Sequence, residues 1–323
     1  VKNTRPMLRG LVVAVAVGLI AFLGACSSPD DDSSQSSSSF TPVTIDHEYG
    51  STEITAKPTR VVTLLSDWTD TLAALNIPIT AAFVPKGTPT FSWTPANNAQ
   101  VVEVADPTQV TVAELAKFNP DLILAGYLGS EDQYNKLKEI APTIPVLTKG
   151  ATADTWEQLT TTAGKIFGVG DQAQKLIDDT NGEISTFKSN NAKAQGKTFT
   201  FAQVGPTGQV GAINSTKDAA AGLIAQLGFT LNPQVAALHN GQSTRALISP
   251  ERIDLLNSDL LVVYVPGGNN AVVNQVPGWS NLTAVKNGTV VYLDDKTQPA
   301  FSVPSAPSVG FVIDTLNPVA AKL

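Results

Sequence analysis

From residue 41 onward, short runs of β-branched and aliphatic residues alternate with stretches whose apolar positions recur every three or four residues. That alternation is the pattern of α/β units. The run 60–65, Arg60-Val61-Val62-Thr63-Leu64-Leu65, predicts a buried strand, and a helix at 69–75 follows it. Further strands are expected at 79–84, 101–104, 122–125 and 144–147, with helices at 112–118 and 131–140. Residues 155–191 carry few strand signals and read as a short helix, a break at Gly168-Val169-Gly170, and a long helix at 171–191. Strands resume at 198–204, 260–265 and 290–293, separated by helices near 218–227, 250–256 and 307–316. The expected organisation is a first lobe at 43–152, a helical connector at 153–196 and a second lobe at 197–323.

An internal repeat supports two lobes. Residues 112–124 match 250–262 at a constant offset of 138, pairing Leu115 with Ile253, Phe118 with Leu256, Asn119 with Asn257, Asp121 with Asp259 and Leu122 with Leu260. Each copy reads as a short helix, a turn and a buried strand.

The N-terminal pattern differs. Lys2, Arg5 and Arg9 precede an unbroken apolar run at 10–25, and no acid occurs before Asp30. A basic start and a short apolar segment make 1–25 a secretory signal, too short for a comfortable membrane span. It ends Leu23-Gly24-Ala25-Cys26, which resembles the lipobox of bacterial lipoproteins. That resemblance implies cleavage before Cys26, lipidation of its thiol and new amine, and an extracytoplasmic protein held to the cell membrane by its lipid. The segment 26–42, dominated by Ser and Asp, is expected to be a tether, since such a composition cannot bury a core.

Composition then removes whole classes of chemistry. The 323 residues carry 21 Lys+Arg against 28 Asp+Glu, a net charge of −7 that offers no footprint for nucleic acid. One Cys excludes a disulfide, a thiolate zinc cluster and a Cys-ligated iron–sulfur cluster, and two His exclude a multi-histidine metal site. Gly168-Val169-Gly170 with Ala173 satisfies a dinucleotide spacing, but a helix rather than a strand is expected before it. Gly205, Gly208 and Gly211 lack the Lys of a P-loop, and Gly241-Gln242-Ser243 has Arg245 where a nucleophile elbow needs Gly. No enzyme is expected, and no cofactor.

The tracts Ile45-Asp-His-Glu-Tyr-Gly-Ser-Thr-Glu-Ile, Lys57-Pro-Thr-Arg-Val-Val-Thr-Leu, Asn119-Pro-Asp-Leu-Ile-Leu, Ile140-Ala-Pro-Thr-Ile-Pro-Val and Pro277-Gly-Trp-Ser-Asn-Leu-Thr-Ala-Val-Lys-Asn-Gly-Thr-Val-Val, in that order, resemble the iron-siderophore substrate-binding lipoproteins of ABC importers. The likeness covers about residues 43–323. It implies an α/β fold of two Rossmann-like lobes joined by a single long helix, with ligand in the cleft between them. It also implies a partner permease and a ligand in which iron arrives already chelated, so that no protein metal ligand is needed. The same scaffold carries haem or cobalamin in other members. A non-transport surface lipoprotein or an α/β enzyme with a degenerate site is the more distant alternative.

Ligand-binding candidates are sought after the strand ends, where open α/β sheets bind. Trp68 follows the first buried strand, Trp93 sits in a polar Pro-rich loop, and Tyr127 follows Gly126 at the end of strand 122–125. Phe301 lies in a loop that faces the cleft in relatives, Lys86 follows the second strand, and Arg245 sits in a long polar loop. Arg245 is the expected partner of ligand oxygens, since its fork of donors suits a planar acceptor. Trp279, His47, Tyr49 and Arg60 are expected to be structural. The resemblance further assigns permease docking to Glu251, in Ser249-Pro250-Glu251-Arg252-Ile253, and less securely to Glu114, because the repeat aligns Ala113 with Glu251. Few basic residues surround these positions, which favours a neutral or weakly charged chelate such as a hydroxamate or mixed ligand.

Overall fold

The computed structural model describes residues 40–87 and 90–323. Cys26, the leader 1–25 and most of the Ser/Asp-rich segment lie outside the described residues. Among the described residues, no helix is long and apolar enough to cross a membrane.

The first lobe opens with an antiparallel hairpin, β1 (Val43–His47) and β2 (Gly50–Ile54). It continues through β3 (Val61–Thr63), α1 (Ser66–Ala74), β4 (Ala81–Pro85), β5 (Gln100–Val104), α2 (Val112–Ala116), β6 (Leu122–Gly126), α3 (Glu131–Leu137) and β7 (Thr143–Pro145). The five strands β5-β4-β3-β6-β7 form one all-parallel sheet. Central β3 and β6 are buried at every position, because helices cover both faces of a parallel sheet. Their unbroken apolar runs are what made these strands visible in the sequence.

Two helices connect the lobes, α4 (Trp156–Phe167) and α5 (Gly170–Asn190). A capping box of Thr155 and Gln158 starts α4, and Gly168 ends it in the left-handed conformation at φ 68°. The Gly168-Val169-Gly170 tract is therefore a break between helices, as its context predicts, and not a strand-to-helix phosphate loop. The two helices cross closely: a Cβ on Gly164 would stand 2.6 Å from that of Ala173. With 21 residues, α5 is about 30 Å long, enough to reach from one lobe to the other.

The second lobe comprises β8 (Thr198–Val204), β9 (Val210–Ile213), α6 (Ala219–Gln226), β10 (Thr230–Leu231), α7 (Pro233–Ala236), β11 (Arg245–Ile248), β12 (Leu260–Tyr264), α8 (Thr283–Asn287), β13 (Val290–Leu293), α9 (Gln298–Ser302) and α10 (Ala306–Ala320). Its sheet runs β11-β9-β8-β12-β13, with β10 also paired to β8. Strands β8, β10, β12 and β13 are parallel, and β9 alone runs against them, pairing antiparallel with both β8 and β11. Strands β9 and β11 are a correction to the sequence reading, which placed Arg245 in a long polar loop. Arg245 opens edge strand β11, paired with Ile213 of β9. Four residues with one buried face, Arg-Ala-Leu-Ile, give too little alternation to be seen without their partner.

Each sheet has an apolar cluster on either face. One cluster of the second lobe takes in Trp156 of α4 and Phe187 of α5, so the connector is built into that lobe's core. The first lobe's cluster holds Leu159, Ala163 and Ile166 from α4. The connector is thus packed on both sides rather than hung between lobes.

Candidate functional site

Three parallel strands of the first lobe, β3, β4 and β6, lead into Leu64-Leu65, Lys86 and Tyr127 respectively. Gly126 has φ 62°, and a Cβ there would lie 2.9 Å from Leu65 Cδ1. This close approach brings the β6 end against the β3–α1 turn, and Tyr127, 37% exposed, is the first side chain beyond it. Lys86 is exposed at the end of β4, its backbone N–H donating to Val104 O at 2.9 Å.

Trp68 and Phe301 do not meet the expectation of cleft-facing rings. Both are 0% exposed. Trp68 belongs to α1 and inserts into the core between the sheet and α4, and its indole N–H finds no acceptor. A Trp on the inner face of a helix buries more area than it could offer a ligand. Phe301 belongs to α9, not to a loop, and packs edge-on to Phe201 with ring centres 6.3 Å apart. Trp93 is half-buried. It stacks on Phe91 at 4.7 Å with 6° between the planes, meets Phe311 of α10 at 4.8 Å, and donates its Nε1–H to Asp70 Oδ2 at 2.9 Å. The ring joins a loop of the first lobe to a helix of the second.

In the second lobe, Arg245 lines a cavity of about 50 Å³ with Phe201, Gln203, Gly211, Ala212, Ile213, Tyr264 and Gln298. Its side chain is 44% exposed, and Nη2 lies 3.4 Å from Asp218 Oδ2. Asp218 is buried, caps α6 through Ala220 N–H at 3.1 Å and accepts from Thr244 Oγ1 at 3.3 Å. Asp218 therefore offsets much of the charge Arg245 presents. Tyr264, at the end of β12, donates to Asp295 Oδ1 at 2.8 Å, and Gly267 N–H holds the same carboxylate. Burial, with that carboxylate second, pushes the phenol above its usual range. Gln203, Tyr264 and Gln298 were missed by the sequence reading. They sit at the ends of β8 and β12 and the start of α9, and only the folded order of the sheet puts them beside Arg245.

The residues expected to be structural are so placed. His47 bonds Thr52 Oγ1 at 2.9 Å beneath Tyr134, and burial lowers its pKa. Arg60 Nε donates to Asn119 O, and Trp279 is buried in the second lobe. Among the described residues, no group of three or more His, Cys, Asp or Glu could hold a metal ion.

The two docking candidates differ. Glu114 is the third residue of a capping box, accepting from Thr111 N–H at 2.8 Å and Thr111 Oγ1 at 2.7 Å. Glu251 is exposed, its carboxylate accepting from the Ser249 hydroxyl, beside a groove of about 450 Å³ that includes Pro250, Ile253, Pro277 and Leu282. Those bonds hold both carboxyls below the usual range, the Thr111 hydroxyl for Glu114 and the Ser249 hydroxyl for Glu251. The helix around Glu251 is not the α-helix expected at 250–256 but a 3₁₀ segment kinked at Arg252.

The chain was compared with known proteins. The family model described as "Periplasmic binding protein" matches residues 61–297. A "Probable siderophore-binding lipoprotein", YfiY of Bacillus subtilis, is 28% identical over 307 residues, covering 91% of each chain. The iron(3+)-hydroxamate-binding protein YxeB of the same organism is 27% identical over 320 residues, covering 95% of this chain and 96% of the relative. Among solved structures, PiaA of Streptococcus pneumoniae with ferrichrome superposes with a TM-score of 0.72 at 23% identity, covering 86% of this chain and 99% of that one. SirA of Staphylococcus aureus with staphyloferrin B gives 0.70 at 24%, covering 87% and 100%. The two sheets, all-parallel in the first lobe and mixed in the second, the helical connector packed into both lobes and the family match over most of the chain agree: this protein belongs to the periplasmic binding protein family, and it is a binding protein rather than an enzyme.

Proposed function

We propose that the protein captures a preformed ferric siderophore of low net charge between its lobes and delivers it to the permease of an ABC importer. It does so on the outer face of the cell membrane, anchored through Cys26. The observation that carries the ligand class is the pairing of Arg245 with buried Asp218. Among the described residues Arg245 is the one cation lining the second-lobe cavity, and its partner leaves little net positive charge for a multiply anionic catecholate. The amide N–H₂ groups of Gln203 and Gln298 offer neutral hydrogen bonds there, as the oxygens of a hydroxamate or mixed chelate require. Relatives named for iron(3+)-hydroxamate binding support this reading.

From the first lobe, Tyr127 and Lys86 contribute to the ligand, with the exposed part of Trp93. Glu251 contacts the permease from its open groove. The test is a tryptophan-fluorescence titration against ferrichrome, a ferric catecholate, ferric citrate, haem and cobalamin. Tightest binding of ferrichrome or another neutral ferric chelate supports the reading; tightest binding of the catecholate, haem or cobalamin overturns it.

A further inference from the structure

Asp70, in the second turn of α1, is buried with no Lys or Arg within ion-pairing distance among the described residues. Its carboxylate gathers three side-chain donors. Oδ1 accepts from Thr94 Oγ1 at 2.6 Å, and Oδ2 accepts from Trp93 Nε1 at 2.9 Å and from Ser305 Oγ at 2.9 Å. Trp93 and Thr94 lie in the loop between β4 and β5 of the first lobe. Ser305 is the N-cap of α10, which packs into the core of the second lobe. The same α10 supplies Phe311 to the face of Trp93.

A buried carboxylate that meets only neutral donors costs more to desolvate than a leucine of similar size. Its stabilising effect comes only through the bonds it gathers: two hold the Trp93–Thr94 loop to α1 within the first lobe, and the third, from Ser305, crosses to the second. We infer that Asp70 is a positioning residue: it pins the loop carrying Trp93 to the start of α10 and so fixes the spacing of the two lobes across the cleft. The pin stands on this geometry alone; only its effect on affinity rests on the ligand reading above.

The chemistry separates acceptor geometry from charge. In Asp70→Asn the amide oxygen at the Oδ2 position keeps Trp93 and Ser305, and the amide N–H₂ donates to the Thr94 hydroxyl, which turns to accept. Asp70→Leu keeps the volume and loses all three bonds. The experiment is amide hydrogen exchange of the ligand-free protein, read in residues 90–97 and 306–310, beside a ferrichrome titration. Asp70→Leu is expected to speed exchange about tenfold in both segments and to weaken ferrichrome by about tenfold, while Asp70→Asn stays within about threefold of wild type in each. Should Asp70→Leu not fold, Ser305→Ala is expected to speed exchange across the lobe boundary, in residues 90–97, by about threefold.

The inference is overturned by exchange that rises in the first-lobe loop alone or in neither segment, by Asp70→Asn behaving as Asp70→Leu, or by both segments loosening with ferrichrome affinity unchanged. With Ser305→Ala as the variant, an unmoved 90–97 segment overturns it. If wild-type protein binds no ferric chelate, the ligand reading fails, and the exchange results still decide the pin.

Discussion

In the first lobe, Asp121 closes the turn before β6 and accepts from Thr59 N–H at 3.0 Å, Thr59 Oγ1 at 2.8 Å and Arg60 N–H at 2.8 Å, with Arg60 Nη1 at 3.7 Å. In the second lobe, 138 residues on, Asp259 precedes β12 and accepts from Thr198 N–H and Thr198 Oγ1, both at 2.8 Å, with Lys197 Nζ at 3.8 Å. One carboxylate in each lobe fastens the start of the neighbouring central strand. A parallel strand begins at the sheet edge with an unpaired N–H, and the acid supplies its acceptor. The helices just upstream diverge. Thr111 and Glu114 close a capping box at α2, whereas Ser249 makes no cap and Glu251 stands exposed. The device that the fold needs is common to both lobes. At the helix starts, Glu114 closes a capping box inside the lobe, whereas Glu251 bonds the Ser249 hydroxyl and stands exposed.

The largest effect expected from this contrast is on transport. Glu251→Ala should lower cellular iron uptake by about tenfold or more while leaving ligand affinity unchanged, because it removes one charge of a desolvated contact. Glu114→Ala should leave uptake within about twofold. Equal losses in the two variants, measured at equal surface level, would erase the distinction between the lobes.

Next in size are the strand fastenings. Asp121→Ala and Asp259→Ala should each lower stability by about 1–3 kcal/mol in urea unfolding, with Asp121 the larger because it also holds Arg60 N–H. If either costs less than about 0.5 kcal/mol, the repeat is a likeness of sequence without a shared device.

The same pair gives a pH signature opposite to that of the buried acids. Hydrogen bonds from the N–H groups of Thr59, Arg60 and Thr198 and the hydroxyls of Thr59 and Thr198 outweigh partial burial and hold Asp121 and Asp259 below the ordinary 3.8 of an aspartate. Their stabilisation is present above that value and is lost as pH falls through the lower folded value. Burial pushes Asp67 up to about 8, and Asp70 and Asp154 up to about 6. There the folded state keeps a proton that the unfolded chain releases above 3.8, so stability falls as pH rises from about 4 toward 6 and then 8. Thermal unfolding followed across that range should show the decline. Asp67→Asn should flatten its upper part, between pH 6 and 8; an unchanged slope would mean that Asp67 is ionised in the fold.

The smallest effect is on the helix starts themselves. In urea unfolding Glu114→Ala should destabilise through loss of its half of the capping box, and Glu251→Ala by less; the reverse order would contradict the contrast between the two helix starts.

The fold was legible in the sequence where burial made its own pattern. Strands β3, β6, β8 and β12 are covered on both faces and carry unbroken apolar runs, and α5 follows a glycine break that reads the same in both forms. Strands β9 and β11 were invisible, since each is four residues long and takes its register from partners elsewhere in the chain, β9 from β8 and β11, and β11 from β9. The aromatic residues were half legible. Position after a strand marked Trp68 and Trp93 as notable but could not say which way a ring turns. That depends on what packs opposite: α4 takes Trp68 inward, while Phe91, Phe311 and Asp70 hold Trp93 between the lobes. Asp70 itself gave no signal, because its partners come from 24 and 235 residues away.

The central claim is that the lobes bind iron only as a preformed, weakly charged chelate, and calorimetric titration with ferrichrome, iron-free ferrichrome and ferric chloride tests it most directly. The account predicts saturable one-to-one binding of ferrichrome or another neutral ferric siderophore tried beside it, binding of the iron-free form weaker by at least about tenfold, or 1.4 kcal/mol, and none of the bare ion. Binding of ferric chloride alone, or equal affinity for the loaded and iron-free forms, would contradict it.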